Sequence, residues 1–449
     1  MKIQLSDHFT YGKLFRFTLP SVIMMTFSSI YSVVDGFFVS NYVGKIPFSA
    51  INLIYPFWMI LGALGFMMGT GGAAIVGKTL GEGRRDDANR YFSLIVYVTI
   101  GIGITFGTIG AIFAPQVSKF LGAEGELLEN CIIYSRIVLL CLPLYMLQYL
   151  FQSFCVTAEK PKLGLTFTIA AGCTNIVLDA LFIAVLDLGI AGAAIATGIG
   201  QFIGGVLPVI YFAHQNTSLL KLGKTSFYGK VLLKTCTNGS SEFMVNSAAS
   251  VVVMLYNFQL LRLVGENGVA AYGAIGYIAF FFIAILWGYS VGCAPITSFN
   301  YGAQNYAELK NILRKSLRIN AVGGITLMVI SILSARVLAS IFVGYDPALC
   351  DMTVHGMRIY SISFILSGIN IFGSSFFTAL NNGLISATIS FLRTLVFECG
   401  SVILIPYLFE LMGLNVLDGL WGCIIIAELA AVTVTTIFLV KKRHQYHYA

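Results

Sequence analysis

"GGAAIVGKT", Gly71 to Thr79, contains G-x-x-x-x-G-K-T, the spacing of a phosphate-binding loop. A nucleotide site of that kind needs a β-strand before the motif and a helix whose N-terminus faces the phosphates. The flanking residues give neither. A run without a charged side chain, residues 50–76, leads into the motif, and the turn "GEGRRDD", Gly81 to Asp87, follows it. The motif therefore reads as the end of a long apolar helix whose backbone N–H groups are already used, with Lys78 as a cytoplasmic anchor. ATP binding is not expected there.

Composition extends this reading to the whole chain. Of 449 residues, 57% are hydrophobic and only 10% charged, and the mean hydropathy is +0.85. Soluble domains carry about 25% charged residues. The chain is expected to lie in a lipid bilayer. Strict apolar–polar alternation, the mark of a membrane barrel, is absent, which leaves helices as the way to satisfy the backbone. Apolar runs between charged breaks predict twelve spans, near 14–40, 50–76, 91–114, 131–155, 163–186, 189–212, 238–262, 270–297, 316–343, 355–380, 386–409 and 418–440. The start, "MKIQLSDHFTYGKLFRF", reads as a basic amphipathic lead into the first span and not as a signal peptide.

Loop charge sets the orientation. Lys78, Arg84, Arg85, Lys160, Lys162, Lys310, Arg314, Lys315, Lys441 and Lys442 fall on the side of the termini, whereas the other side is rich in acids such as Glu124, Glu126, Glu266 and Asp346. The positive-inside rule then places both termini in the cytoplasm. The net charge of +7 reflects this topology, and no nucleic-acid partner is expected. Nine cysteines without paired spacing argue against a disulfide framework or a structural metal.

An internal repeat appears at a shift of 221 residues. "VGKIPFSAINLI" (Val43 to Ile54) meets "VGENGVAAYGAI" (Val264 to Ile275), Gly71 meets Gly292 and Gly81 meets Gly302. The expected fold is all-α: two six-helix bundles, 1–212 and 238–449, joined by a basic cytoplasmic linker, 213–237. With six spans each, the halves are related by a pseudo-two-fold axis along the membrane normal. The same shift lays Gly77, Lys78 and Thr79 on Ser298, Phe299 and Asn300, so the mate half has no phosphate-loop lysine.

Function is sought in the ionisable residues within spans, which are costly in lipid and mark ion or substrate paths. They are Asp35, Asp179, Glu242, Glu398, Glu428 and Arg393. Asn175 precedes Asp179 by one helical turn, and Thr197 reaches the same level if spans five and six form a hairpin. Two carboxylates, an amide and a hydroxyl make a switchable site for Na⁺ or H⁺. Helix–helix hydrogen bonding is the structural alternative for each acid. Glu242 reads as an N-terminal cap of span seven or as functional, Arg393 as the partner of Glu398 or of a neighbour, and Glu428 as a second partner for Arg393.

"YSVVDGFFVSNYVG", "GTGGAAIVGKTLGEGRRDDANRYFS", "TAEKPKLGLTFTIAAGCTNIVLDALFI" and "FFTALNNGLISATISFLRTLVF" together resemble the multidrug and toxic compound extrusion (MATE) family over essentially the whole chain. The resemblance implies two bundles about a V-shaped cleft and export of organic, often cationic, compounds in exchange for H⁺ or Na⁺. It also implies a cation site at Asp35, Asn175, Asp179 and Thr197. In one branch acids of helices seven and ten matter, but span ten here has none, and Glu242 does not clearly match the helix-seven position.

The expected mechanism is alternating-access antiport in which the cation neutralises the Asp35/Asp179 pair and the first helix repacks. Pro143 and Pro295 offer bends within spans, while Pro20 either bends its span or only initiates it. Substrate contacts are expected among Met24, Tyr55, Met67, Tyr145 and Gln148 in the first half, and Asn246, Tyr256, Asn257, Tyr277 and Asn370 in the second. No catalytic residue, cofactor or ATP is expected, and the transporter is expected to act as a monomer. The alternatives are a lipid-linked oligosaccharide flippase, which needs several cleft bases where only Arg393 lies deep; a membrane enzyme, for which the five histidines all lie at or outside span ends; and a channel, for which no filter-like loop is evident.

Overall fold

The computed structural model describes residues 3–448, apart from the side chains of Phe37, Ser40, Asn41 and Lys45. Met1 and Lys2, part of the basic start, lie outside the described residues. The described chain is helical, with no strand. The first half comprises α1 (Tyr11–Phe38), α2 (Lys45–Gly81), α3 (Arg85–Phe120), α4 (Gly125–Leu140), α5 (Leu142–Thr157), α6 (Pro161–Asp179) and α7 (Gly189–Ala213). The second comprises α8 (Gly229–Val264), α9 (Glu266–Gly302), α10 (Tyr306–Val343), α11 (Pro347–Ser361), α12 (Phe364–Ala379), α13 (Gly383–Phe391), α14 (Cys399–Leu411) and α15 (Val416–Lys441), with a short α16 (Arg443–Tyr446) at the end.

Among the described residues, ten helices are long and apolar enough to cross a membrane. Two further pairs, α4–α5 and α11–α12, pass the same test when each pair is taken together, and are bent by 51° and 50°. These twelve correspond to the twelve expected spans. Pro143 stands in the first turn of α5, at the first of these bends, where the proline ring cannot continue the preceding helix. Pro20 lies well inside α1, which begins at Tyr11, so it does not initiate that helix. The expected linker is shorter than read from sequence. Residues 229–237 already belong to α8, and the stretch before them folds back on α3, with Lys221 N–H donating to Asn89 Oδ1 at 2.9 Å and Gly223 N–H to Ser93 Oγ at 3.0 Å.

The repeat is visible as reciprocal contact. A Cβ on Gly81 would stand 2.0 Å from the carbonyl oxygen of Phe299, and one on Gly302 would stand 2.0 Å from that of Lys78. The offset of 221 residues converts the first pair into the second. Gly71 against Gly239 and Gly292 against Thr18 form another such set. Contacts that exchange in this way are the signature of a two-fold axis. Here the axis passes between α2 and α9, and only glycine lets those backbones approach so closely.

Apolar packing then defines a cleft. Near the end that carries both termini, the two halves share cores. Leu5, Phe9, Leu14 and Phe17 pack with Tyr289, Cys293, Leu309 and Phe376, and Met24 and Met25 pack with Ala284 and Val291. Toward the far end each half keeps its own core: Ala50, Ile54, Trp58 and Tyr134 in one, Tyr256, Ile275, Phe282 and Trp421 in the other, with no mixing among the described residues. The molecule is sealed at the terminal end and parted at the far end. Basic side chains gather at the sealed end, where Arg85 donates to the carbonyls of Ser218 and Leu219, and Lys315 to that of Phe9.

Candidate functional site

In the first half, small residues bring α1, α6 and α7 together. Gly172 of α6 receives the rings of Phe27 and Tyr31 from α1, and Gly200 of α7 lies against Ala171 and Asn175 of α6. The result is that Asn175 and Asp179 stand beside the Asp35 carboxyl. Asp179 is fully buried, Asn175 is 4% exposed, and Asp35 is half-buried. The amide atoms of Asn175, both carboxyl oxygens of Asp179 and Oδ1 of Asp35 have no hydrogen-bond partner among the described residues. Such orphaned oxygens usually cost about 1–3 kcal/mol each, and more when charged. Carboxyl and amide oxygens left unpaired in this way are the atoms that a proton or small cation would satisfy.

Thr197 follows from register. α6 and α7 run antiparallel, with Gly200 opposite Ala171 and Asn175 and Gly192 opposite Phe182, which sets Thr197 at the level between Asn175 and Asp179. It gives no hydrogen bond to either. Two polar residues missed in the sequence reading, Tyr31 and Gln201, complete the surroundings, together with Gln148, which was expected as a substrate contact. Tyr31 lies one turn before Asp35 and within its electrostatic reach, Gln148 donates to Tyr31 at 3.4 Å, and Gln201, one turn beyond Thr197, keeps an unpartnered Oε1. Their signal was the four-residue spacing from Asp35 and Thr197 along the same helix faces.

Both acids stand where α-helical winding ends. The Asp179 residue closes α6, and the π-helical segment Ala180–Val185 follows at once. Asp35 lies one turn before the π-helical segment Val39–Val43. A third π segment, Leu392–Glu398, carries both Arg393 and Glu398. π turns inside helices concentrate at functional sites, because the extra residue loosens the ladder and lets a helix rewind.

In the second half, Arg393 pairs with Glu428 and not with Glu398. Its Nη2 donates to Glu428 Oε1 at 2.6 Å and its Nε to the two carboxyl oxygens at 3.0 and 3.2 Å. Ser367 and Asn370 also donate to Glu428, at 2.9 and 2.6 Å, and Thr435 donates to Asn370 at 3.0 Å. Glu242 does not cap its helix either, because α8 begins at Gly229 and Glu242 lies several turns inside it.

The expected substrate contacts divide. Tyr55 and Tyr277 are about half exposed and lie within electrostatic range of each other across the parted end. Met67 and Asn257 are half-buried. Tyr256 is off the cleft wall, 1% exposed and stacked on Tyr272 inside its own lobe. Asn370 is fully buried in the Glu428 network, and Asn246 turns its amide to the Glu242 carbonyl at 2.7 Å. Met24 packs between the lobes, and Tyr145 stacks with Trp58 at 4.2 Å. Burial removes these from direct substrate contact in this arrangement. The phosphate-loop spacing lies in the last turns of α2, where Thr79 donates to the Ile75 carbonyl at 2.9 Å and Lys78 sits over the Tyr301 ring.

A two-lobed helical bundle around a cleft open at one end, with ionisable groups held inside it, is the architecture of a membrane carrier. The chain belongs to the MatE family, whose model matches residues 20–181 and 243–400. It is similar to the multidrug export protein MepA of Staphylococcus haemolyticus, at 26% identity over 92% of this chain and 89% of that protein. MepA of Staphylococcus aureus (strain MRSA252) is 24% identical over 95% and 93%. Among solved structures, MATE in complex with MaL6 superposes with a TM-score of 0.92 at 20% identity, covering 98% of both chains. An outward-facing conformation of a multidrug resistance MATE family transporter of the MOP superfamily superposes with a TM-score of 0.91, again at 20% identity and 98% of both chains.

Proposed function

We propose that this protein exports organic, chiefly cationic, compounds by antiport with H⁺ or Na⁺, and that Asp35, Asn175, Asp179 and Thr197 hold the coupling ion. The observation that carries the reading is the pair of acids, one buried and one half-buried, beside an amide, all with unsatisfied oxygens, on helices that change to π winding just beyond them. The family and the multidrug export that the MepA relatives are named for support it.

The chain's own residues supply the steps. By the positive-inside rule the sealed, basic end faces the cytoplasm and the cleft opens outward. In that state the acids are reached from outside. A proton or Na⁺ cancels their repulsion, and α1 rewinds through its π segment. The substrate is released, and the empty carrier reopens on the other side. One charge crossing 100 mV supplies about 2.3 kcal/mol, or about 40-fold in concentration before the ion's own gradient is added. The flippase reading fares worse, because Arg393, the base deep in a span, is bound to Glu428 and not offered to a phosphate. The mechanism needs no ATP, cofactor or catalytic group, and one chain contains both lobes.

The test is purified protein in sealed vesicles, with a pH gradient and a Na⁺ gradient imposed separately and ethidium movement recorded. Uphill movement with one of the gradients is expected. Movement that needs ATP and ignores both gradients overturns the reading.

A further inference from the structure

Where α10 leaves the sealed end, its first turns and the start of α1 form an open recess of about 300 Å³. Lys310, Asn311, Arg314, Lys315 and Arg318 line it from the second half, and Tyr11 from the first. Their spacing of three to four residues puts the α10 positions on one helix face. Lys315 Nζ donates to the Phe9 carbonyl at 2.7 Å and lies 5.4 Å from the centre of the Tyr11 ring, and Arg318 Nη1 donates to the Tyr11 hydroxyl at 3.2 Å. Among the described residues none of the four bases pairs with a carboxylate. The acids nearest in the chain are taken: Glu308 turns inward and accepts from the Phe9 N–H at 2.9 Å and from Asn311 at 2.7 Å, and Asp7 pairs with Lys13 at 3.3 Å. The same face of α10 then continues through Val322, Ile325, Val329 and Leu333, all exposed. An exposed apolar stripe within a span lies against acyl chains, so the recess stands at the level where lipid head groups begin.

We propose that this recess binds the phosphate of an anionic phospholipid, with Lys310, Arg314, Lys315 and Arg318 as its counter-charges and the apolar stripe of α10 as the bed for its acyl chains. The inference goes beyond the export reading and stands without it. Guanidinium forks match phosphate oxygens, and the lysines add point charges. Basic pockets beside spans on the cytoplasmic side suit anionic head groups. Free phosphate offers the same oxygens but makes no use of the stripe. Because Tyr11 and the Phe9 carbonyl belong to the first half, the recess is complete only while the terminal end is sealed. A lipid held there favours the sealed state by its differential affinity for the two conformations.

The experiment counts the lipids retained by the full chain in detergent, by native mass spectrometry. Dioleoylphosphatidylglycerol and dioleoylphosphatidylcholine are offered separately, with inorganic phosphate as a competitor. It compares wild type, the triple change Lys310→Gln, Arg314→Gln and Arg318→Gln, and the double change Lys441→Gln and Lys442→Gln, which removes basic charge elsewhere at the same end. Wild type and the double variant are expected to retain phosphatidylglycerol in preference to phosphatidylcholine. The triple variant is expected to need about tenfold or more phosphatidylglycerol for the same occupancy. Inorganic phosphate is expected not to displace the lipid. In nanodiscs, adding phosphatidylglycerol to phosphatidylcholine is expected to shift the distance between spin labels at Arg84 and Gln304 toward the sealed value. Equal retention of the two lipids by wild type overturns the inference, and that comparison needs no substitution to fold. Equal loss of phosphatidylglycerol in both variants, displacement by inorganic phosphate, or a label distance indifferent to phosphatidylglycerol also overturns it. Dye movement enters none of these measurements, so a failure here leaves the export reading as it stands.

Discussion

Asp35 and Asp179 face each other from α1 and α6, and each helix gives way to a π-helical segment just beyond its acid, Val39–Val43 in one and Ala180–Val185 in the other. Charge and winding are therefore coupled at one level of the first lobe. Where two like charges share a dry site, neutralising one relieves the repulsion, and a looser helical ladder is the element best able to respond. Asn175→Ala leaves both acids but removes the amide between the helices. We predict retained dye binding and a weakened dependence of transport on the driving ion, read as a rightward shift in the ion concentration that gives half-maximal efflux.

The Arg393–Glu428 pair predicts a stability effect. Glu428 is 1% exposed at its side chain and Arg393 17%. Removing one partner of a buried pair strands the other, at a cost of about 3–5 kcal/mol. Glu428→Gln is expected to lower the melting temperature in detergent markedly. The double change Arg393→Met with Glu428→Met is expected to recover much of the loss. Equal destabilisation by single and double changes contradicts this account.

The seal depends on glycine. A Cβ on Gly81 meets the Phe299 carbonyl at 2.0 Å, and on Gly71 it meets that of Thr235 at 2.1 Å. Both obstacles are backbone and cannot swing aside. Gly81→Leu is expected to hold the terminal end apart. The check is the distance between spin labels at Arg84 and Gln304, both exposed there, which is expected to lengthen relative to the parent.

The N-terminal segment ties the same end. Leu5 N–H donates to Glu159 Oε1 at 2.8 Å in the first lobe, while its carbonyl accepts from Asn300 Nδ2 at 3.2 Å in the second. Phe9 N–H donates to Glu308 at 2.9 Å. Glu308→Ala or Glu159→Ala is expected to raise the population open at this end, seen as a broader distribution for the same spin-label pair. An unchanged distribution in both variants contradicts a bracing role for the segment.

Much of this was legible in the sequence for physical reasons. Uncharged runs of about 20 residues give the spans, and the mates Gly71/Gly292 and Gly81/Gly302 are recognisable because close backbone contact admits no other residue. The one-turn spacing of Asn175 and Asp179 revealed a common face. Pairing between distant helices was not legible. Arg393 has Glu398 five residues away in sequence, yet the helix turns it to Glu428 on α15. Tyr256 and Tyr277 look alike in an apolar run, but one is buried and the other is 47% exposed, a distinction set by helix rotation in the assembled lobe. The start of α8 was missed because "KVLLKTCTN" is too polar to read as a span, although it continues the helix beyond the apolar core.

The most direct test of the central claim compares wild type, Asp35→Asn and Asp179→Asn in vesicles under an imposed pH or Na⁺ gradient, recording uphill ethidium movement beside ethidium binding in the same preparations. The account predicts that both variants bind the dye but no longer concentrate it. Gradient-driven accumulation at the wild-type level in both variants contradicts it.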